Sequence, residues 1–137
     1  MEINKYFIPD ITDLRVGYAC EHTSAGNFLN GEIIVDKLTE LDVARYLDWS
    51  LTSNLEDMIR VSYLTKEQIE AEGWKEISKY NYEKINSNIT AYYGDDHYLW
   101  IMHPGKTILG EDYLANSFKG ECKSINEFRY ICKLLKI

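Results

Sequence analysis

Residues 59–75 read IRVSYLTKEQIEAEGWK, and this stretch decides the fold because several independent rules agree along it. Ile59, Val61 and Tyr63 alternate with Arg60, Ser62 and Leu64, a period of two in β-favouring residues that predicts a strand. Thr65 stands three residues before Gln68, the spacing of a capping box in which each side chain satisfies a backbone N–H at the helix start. Ile69 is the only strongly apolar residue of the helix body, so the helix is expected to be short and to bury one stripe. Gly73 falls where a left-handed C-terminal residue belongs, and Trp74 follows as the anchor of the exit. The prediction is strand, one or two helical turns, strand. It is a scaffold, with no chemistry in it.

Upstream, residues 3–8 form a short lead-in that Pro9 and Asp10 turn. Residues 14–20, LRVGYAC, set Leu14, Val16 and Tyr18 against Arg15, Gly17 and Ala19 and predict a strand. Residues 22–27, HTSAGN, read as loop, Asn30-Gly31 as a tight turn, and residues 32–38, EIIVDKL, as a second strand. Thr39 with Asp42 three residues later predicts a helix over 39–49. Downstream, residues 74–82 alternate as a strand, and residues 86–88, NSN, form a turn. Residues 89–93, ITAYY, and 98–103, YLWIMH, flank Gly94, Asp95, Asp96 and His97 as a hairpin. Pro104-Gly105 is expected to turn the chain out of the second strand, with an edge strand following over 113–118. Ser124 and Glu127 have capping-box spacing and open a helix whose stripe is Ile125, Phe128, Cys132 and Leu135, widened by Ile131 and Leu134. The fold class is therefore α+β: one globular domain over 1–137, a mainly antiparallel sheet of short strands, and two or three helices. The C-terminal helix should pack on the sheet.

A chain of 137 residues fits one domain. Its net charge of −7 is uneven: residues 1–68 hold 12 acidic and 6 basic groups, and the remainder 10 and 9. An acidic first half argues against direct contact with nucleic-acid phosphates and suits docking on a basic protein surface. The three cysteines show no C-x-x-C spacing, the N-terminus has no secretory apolar run, and no window approaches the roughly 20 apolar residues of a membrane span. A reduced, cytoplasmic setting is expected.

Two clusters resemble chemistry. Asp95, Asp96, His97 and His103, with Glu111 and Asp112 nearby, offer metal-ligand types, but six strand residues separate the histidines by roughly 20 Å. The aspartates suit a turn better. Cys20, Glu21 and His22 place thiol, carboxylate and imidazole together; Cys20 and His22 share a strand face and Glu21 points away, so a small core cysteine is the simpler reading. No phosphate-binding glycine loop and no nucleophile elbow occurs, and Gly105-Lys106-Thr107 lacks the first glycine of a P-loop. No catalytic residue, metal ligand or cofactor is expected. Aromatic side chains remain. Either Tyr98, Trp100 and Met102 or His97, Leu99, Ile101 and His103 must face away from the core, and Tyr and Trp are what interfaces favour. The contact candidates are Trp49, Tyr92, Tyr93, Tyr98 and Trp100, with Asp95 and Asp96 at the hairpin tip.

Residues 59–74, residues 118–137 (FKGECKSINEFRYICKLLKI) and LRVGYAC, about a third of the chain, resemble small uncharacterised proteins of tailed bacteriophages and prophages of Bacteroidetes-type gut bacteria. The resemblance brings no catalytic motif. It implies a phage product of accessory-protein size, made in the cytoplasm of a bacterial host. The expectation is a non-enzymatic acidic interaction protein that binds a host or phage protein and inhibits a component of host defence; whether it acts as a homodimer stays open. Two alternatives stand beside it. One is a nucleotide-binding or hydrolysing protein, which needs an aromatic pocket with cations drawn from Arg15, Arg60, Lys106 and Arg129. The other is a minor virion protein.

Overall fold

The computed structural model describes residues 5–23, 28 and 33–137. The chain divides into two compact units, Met1–Tyr63 and Leu64–Ile137. Among the described residues all strand pairs are antiparallel, in two sheets, so the class is α+β as the sequence predicts.

The first unit runs β1 (Tyr6–Phe7), β2 (Ala19–Thr23), β3 (Ile33–Lys37), α1 (Glu40–Trp49) and β4 (Ile59–Ser62), with sheet order β1-β4-β2-β3. Alternation decides the faces. Ile59 and Val61 enter the core with Leu14, Tyr18, Cys20, Leu38, Tyr46 and Met58. Arg60 takes the other face, where its Nε lies 2.6 Å from Glu21 Oε2 and its guanidinium stacks 4.5 Å from the Tyr6 ring and 4.9 Å from that of Phe28. α1 starts with the predicted cap: Thr39 Oγ1 accepts from the Asp42 N–H, and the Asp42 carboxylate accepts from the Thr39 N–H. The strand expected over 14–20 is displaced. Gly17 has a φ of 88°, which breaks the extended run, so β2 starts at Ala19 and includes His22 and Thr23, read above as loop. The Asn30-Gly31 turn and residues 24–27 lie outside the described residues.

One buried polar chain ties α1 to β2. The single phenolic proton of Tyr46 goes to the Thr23 carbonyl at 2.6 Å, so His22 must donate its Nδ1–H to the Tyr46 oxygen, 2.7 Å away. His22 is 2% exposed, and its Nε2 has no partner. Burial holds its pKa below the usual value, opposed by Asp42 and Asp36, and burial pushes the Tyr46 phenol up to about 12.

The second unit runs α2 (Lys66–Ala71), β5 (Trp74–Ser78), β6 (Asn81–Lys84), β7 (Thr90–Tyr93), β8 (Tyr98–Lys106), β9 (Asp112–Glu121) and α3 (Ile125–Leu135). Its sheet is a meander in chain order, β5-β6-β7-β8-β9. The Thr65–Gln68 capping box closes both ways, and Gly73 takes the left-handed conformation with φ 91°. The strand expected over 74–82 is folded back on itself: Tyr80, at φ 68°, turns β5 into β6. Pro104-Gly105 is not a turn. β7 ends at the Thr90–Met102 pair, so Pro104 lies where β8 has a neighbour on one side only, and a proline is tolerated there.

Trp74, Tyr82, Ala91, Tyr93, Leu99 and Ile101 are the buried sheet residues. α3 covers them with Ile125, Phe128 and Ile131, and Phe128 meets Trp74 edge to face at 5.9 Å. Leu134 is exposed, outside the stripe expected to include it. The second capping box is not made: Ser124 gives no side-chain cap, and the Glu127 carboxylate accepts the N–H of Lys123, one residue before the cap, at 2.6 Å. Among the described residues no helix is long and apolar enough to cross a membrane.

The His22 chain predicts acid sensitivity. Unfolded, the imidazole titrates at about 6.5; folded, it stays neutral to lower pH, so stability is complete above that value and declines as pH falls below it. Urea midpoints should drop between pH 7.5 and 5.5 by more in the wild type than in His22→Asn, which cannot be protonated. Tyr46→Phe removes the acceptor of the buried His22 N–H and should cost about 1–3 kcal/mol in the same assay.

Candidate functional site

The β7–β8 hairpin separates the nominated aromatics by face. Tyr92 pairs directly with Trp100, which pairs with Lys119 on β9; Thr90 pairs with Met102, and Tyr98 with Glu121. These side chains share the sheet face opposite α3, because Ala91, Tyr93, Leu99 and Ile101 occupy the alternate, buried positions. Of the two outward sets the sequence allowed, Tyr98, Trp100 and Met102 is the one realised. The face is polar at its edges. Trp100 Nε1 donates to Asn116 Oδ1 at 2.6 Å, and Lys119 Nζ stands 4.7 Å above the Trp100 ring. Tyr80 extends the row, its ring 6.0 Å from that of Tyr92.

The other nominated residues stand elsewhere. Tyr93 is 7% exposed and donates its hydroxyl to the Cys122 carbonyl at 2.6 Å, so it belongs to the core and presents no surface. Asp95 accepts from the Tyr80 hydroxyl at 2.5 Å, a bond that raises the Tyr80 pKa. Asp96 Oδ1 accepts the Tyr98 N–H at 3.1 Å, and His97 takes φ 63°. Both aspartates therefore build the turn as well as exposing charge at its tip. Trp49 is in the first unit, half-buried edge-on against Tyr46 at 5.7 Å with the Arg45 guanidinium over its ring.

Sequence reasoning missed the most exposed feature. From His103–Ala115 to Lys106–Asp112, β8 and β9 stay paired beyond the end of β7 and form a two-stranded arm. Its turn carries Ile108 and Leu109, both open to solvent, and Leu114 is exposed on its flank. The Tyr113 ring lies against Gly105, where a Cβ would stand 2.6 Å from it. The signal was present: Ile108-Leu109 is an apolar pair between turn-forming Thr107 and Gly110, with no neighbouring pattern that calls for burial. The expectation that Pro104-Gly105 turned the chain concealed it.

Among the described residues no group of three or more His, Cys, Asp or Glu is placed to hold a metal ion. The cysteines are free thiols, and burial pushes Cys20 up to about 12 and Cys132 to about 11, far from the thiolate a nucleophile needs. No family model matches the chain, and no curated protein or solved structure is significantly similar to it.

The two faces of the hairpin should respond differently to truncation. Tyr93→Ala removes a core ring and its hydrogen bond and is expected to cost about 3–5 kcal/mol by urea unfolding. Trp100→Ala, on the half-exposed face, should cost less than about 2 kcal/mol. Equal, large losses would place Trp100 in the core and remove the basis for a contact surface.

Proposed function

We propose that the chain is a non-enzymatic interaction protein that binds a protein partner through the open face of its five-stranded sheet and the arm extending from it. One observation carries this reading: Ile108 and Leu109 stand fully exposed at the end of a two-stranded ribbon. A two-stranded ribbon is marginal in water on its own, and leaving two large apolar side chains at its tip confers no stability on the fold. A partner's apolar pocket gives them something to bury against. The row of Tyr80, Tyr92, Tyr98 and Trp100 begins on the same sheet and supplies large, half-ordered contact area of the kind interfaces use.

The resemblance to phage proteins supports a partner from the bacterial host or the phage, in the host cytoplasm, and makes defence components the first class to test. The net charge of −7 favours a basic docking surface and disfavours nucleic acid.

The test is affinity capture from phage-infected host lysate with three baits: wild type, Ile108→Asp/Leu109→Asp, and Ile77→Asp as a control at another exposed apolar residue of the same unit. Exposed substitutions should leave the unfolding free energy, from urea titration, within about 0.5 kcal/mol of wild type. The expected result is one stoichiometric protein that the control retains and the arm variant loses. A partner retained by the arm variant would remove the arm from the interface, and co-sedimentation with purified virions would favour a virion role instead.

A further inference from the structure

One edge of the five-stranded sheet is β9, Asp112–Glu121, whose neighbour in the sheet is β8. We propose that this edge pairs antiparallel with β9 of a second copy of the chain, Asp112 of each copy standing opposite Lys119 of the other. The proposal goes beyond the partner surface above, because a strand edge is neither the sheet face nor the tip of the arm.

The state of the edge gives the first argument. An exposed edge offers a row of backbone N–H and C=O groups to another chain, and folds blunt it with short strands, charge or proline. The opposite edge, β5, is blunted in this way: it has five residues and carries Lys75 and Glu76. β9 has ten residues, no proline, and no charge from Tyr113 to Phe118. Among the described residues no backbone bond joins β9 to anything but β8. Tyr113 and Leu114 lie exposed along it.

Charge complementarity gives the second argument and chooses the occupant. Asp112 and Lys119 are seven residues apart, roughly 20 Å along a strand, so they cannot meet within one chain. Two antiparallel copies bring both pairs together, and Tyr113 then falls opposite Phe118. The faces agree at this register. Asp112 pairs with Lys106 on β8 and Lys119 with Trp100, so both side chains stand on the face opposite α3. Tyr113 and Phe118 pair with Gly105 and Ile101 and take the other face. The bulge makes this possible: Ser117 has no partner on β8, which shifts the alternation of β9 by one residue, and each copy brings the same insertion to the middle of the pairing.

Opposite charges and aromatic pairs directly across an antiparallel ladder stabilise it, and like charges destabilise it. Lys119 already lies over the Trp100 ring and Asp112 stands 3.5 Å from Lys106, both at the surface, where a carboxylate or ammonium of the second copy can join them. The near balance of 10 acidic and 9 basic groups over residues 69–137 keeps repulsion between the two copies small in this half of the chain.

Sedimentation equilibrium of the full chain in about 0.1 M salt tests the pairing. A reversible monomer–dimer equilibrium is expected. Asp112→Lys sets Lys against Lys across the copies and Lys119→Asp sets Asp against Asp, so each alone should weaken dimerisation about tenfold or more. Mixed in equal amounts, the two variants regain both ion pairs in a heterodimer and should associate as tightly as the wild type. Glu111→Lys makes the same change of charge one residue before β9 and should leave dimerisation unchanged. Asp112 is exposed, so its comparison with Glu111→Lys keeps the test valid if Lys119→Asp, which gives up its place over Trp100, fails to fold. A chain still monomeric at about 1 mM overturns the proposal. So does equal weakening by Glu111→Lys, or a mixture of folded variants that associates no more tightly than either alone.

Discussion

The edge-to-face contact between Trp74 and Phe128 fixes the second unit. It joins the first strand of the meander to the last helix, the two ends of that unit's sequence, and both side chains are fully buried. Once α3 is pinned there, one sheet face becomes interior. Tyr82, Ala91, Tyr93, Leu99 and Ile101 must then point inward, and strand alternation sends Tyr92, Tyr98 and Trp100 outward without further instruction. The aromatic face is thus a geometric consequence of a contact on the other side of the sheet.

Signals that act over three or four residues were legible in the sequence. The Thr39–Asp42 and Thr65–Gln68 boxes and Gly73 each settle a local backbone choice, and the structure reproduces all three. The errors came where a local pattern competes with something non-local. Residues 14–20 alternate well, yet Gly17 donates to the Leu38 carbonyl and bends the chain there. Ser124 has the spacing of a cap, but the Glu127 carboxylate finds the Lys123 N–H first. Pro104-Gly105 looks like a turn because composition cannot report that β7 has already ended beside it. Which aromatic face is exposed depended in the same way on where α3 lands, and the sequence could only present two options.

The open face and the arm combine two kinds of surface. On the face, Lys119 over Trp100 and the Trp100–Asn116 bond restrain the largest ring, so the binding proposed above would have less ordering entropy to overcome. On the arm, exposed aliphatic groups sit on a ribbon held by a single set of cross-strand bonds and by the packing of Tyr113 on Gly105.

The sheet order has a further consequence, for the time course of folding. In the second unit every strand pairs with its immediate neighbour along the chain, so each pairing closes a loop of only a few residues. In the first unit β1 pairs with β4, bringing Phe7 opposite Val61, and that contact has to wait for more than fifty intervening residues to be gathered in. Low sequence separation speeds folding and high separation slows it. Sequence separation alone therefore favours early closure of the meander, from its own hairpins, and makes the β1–β4 pairing of the four-stranded sheet the slower one to form.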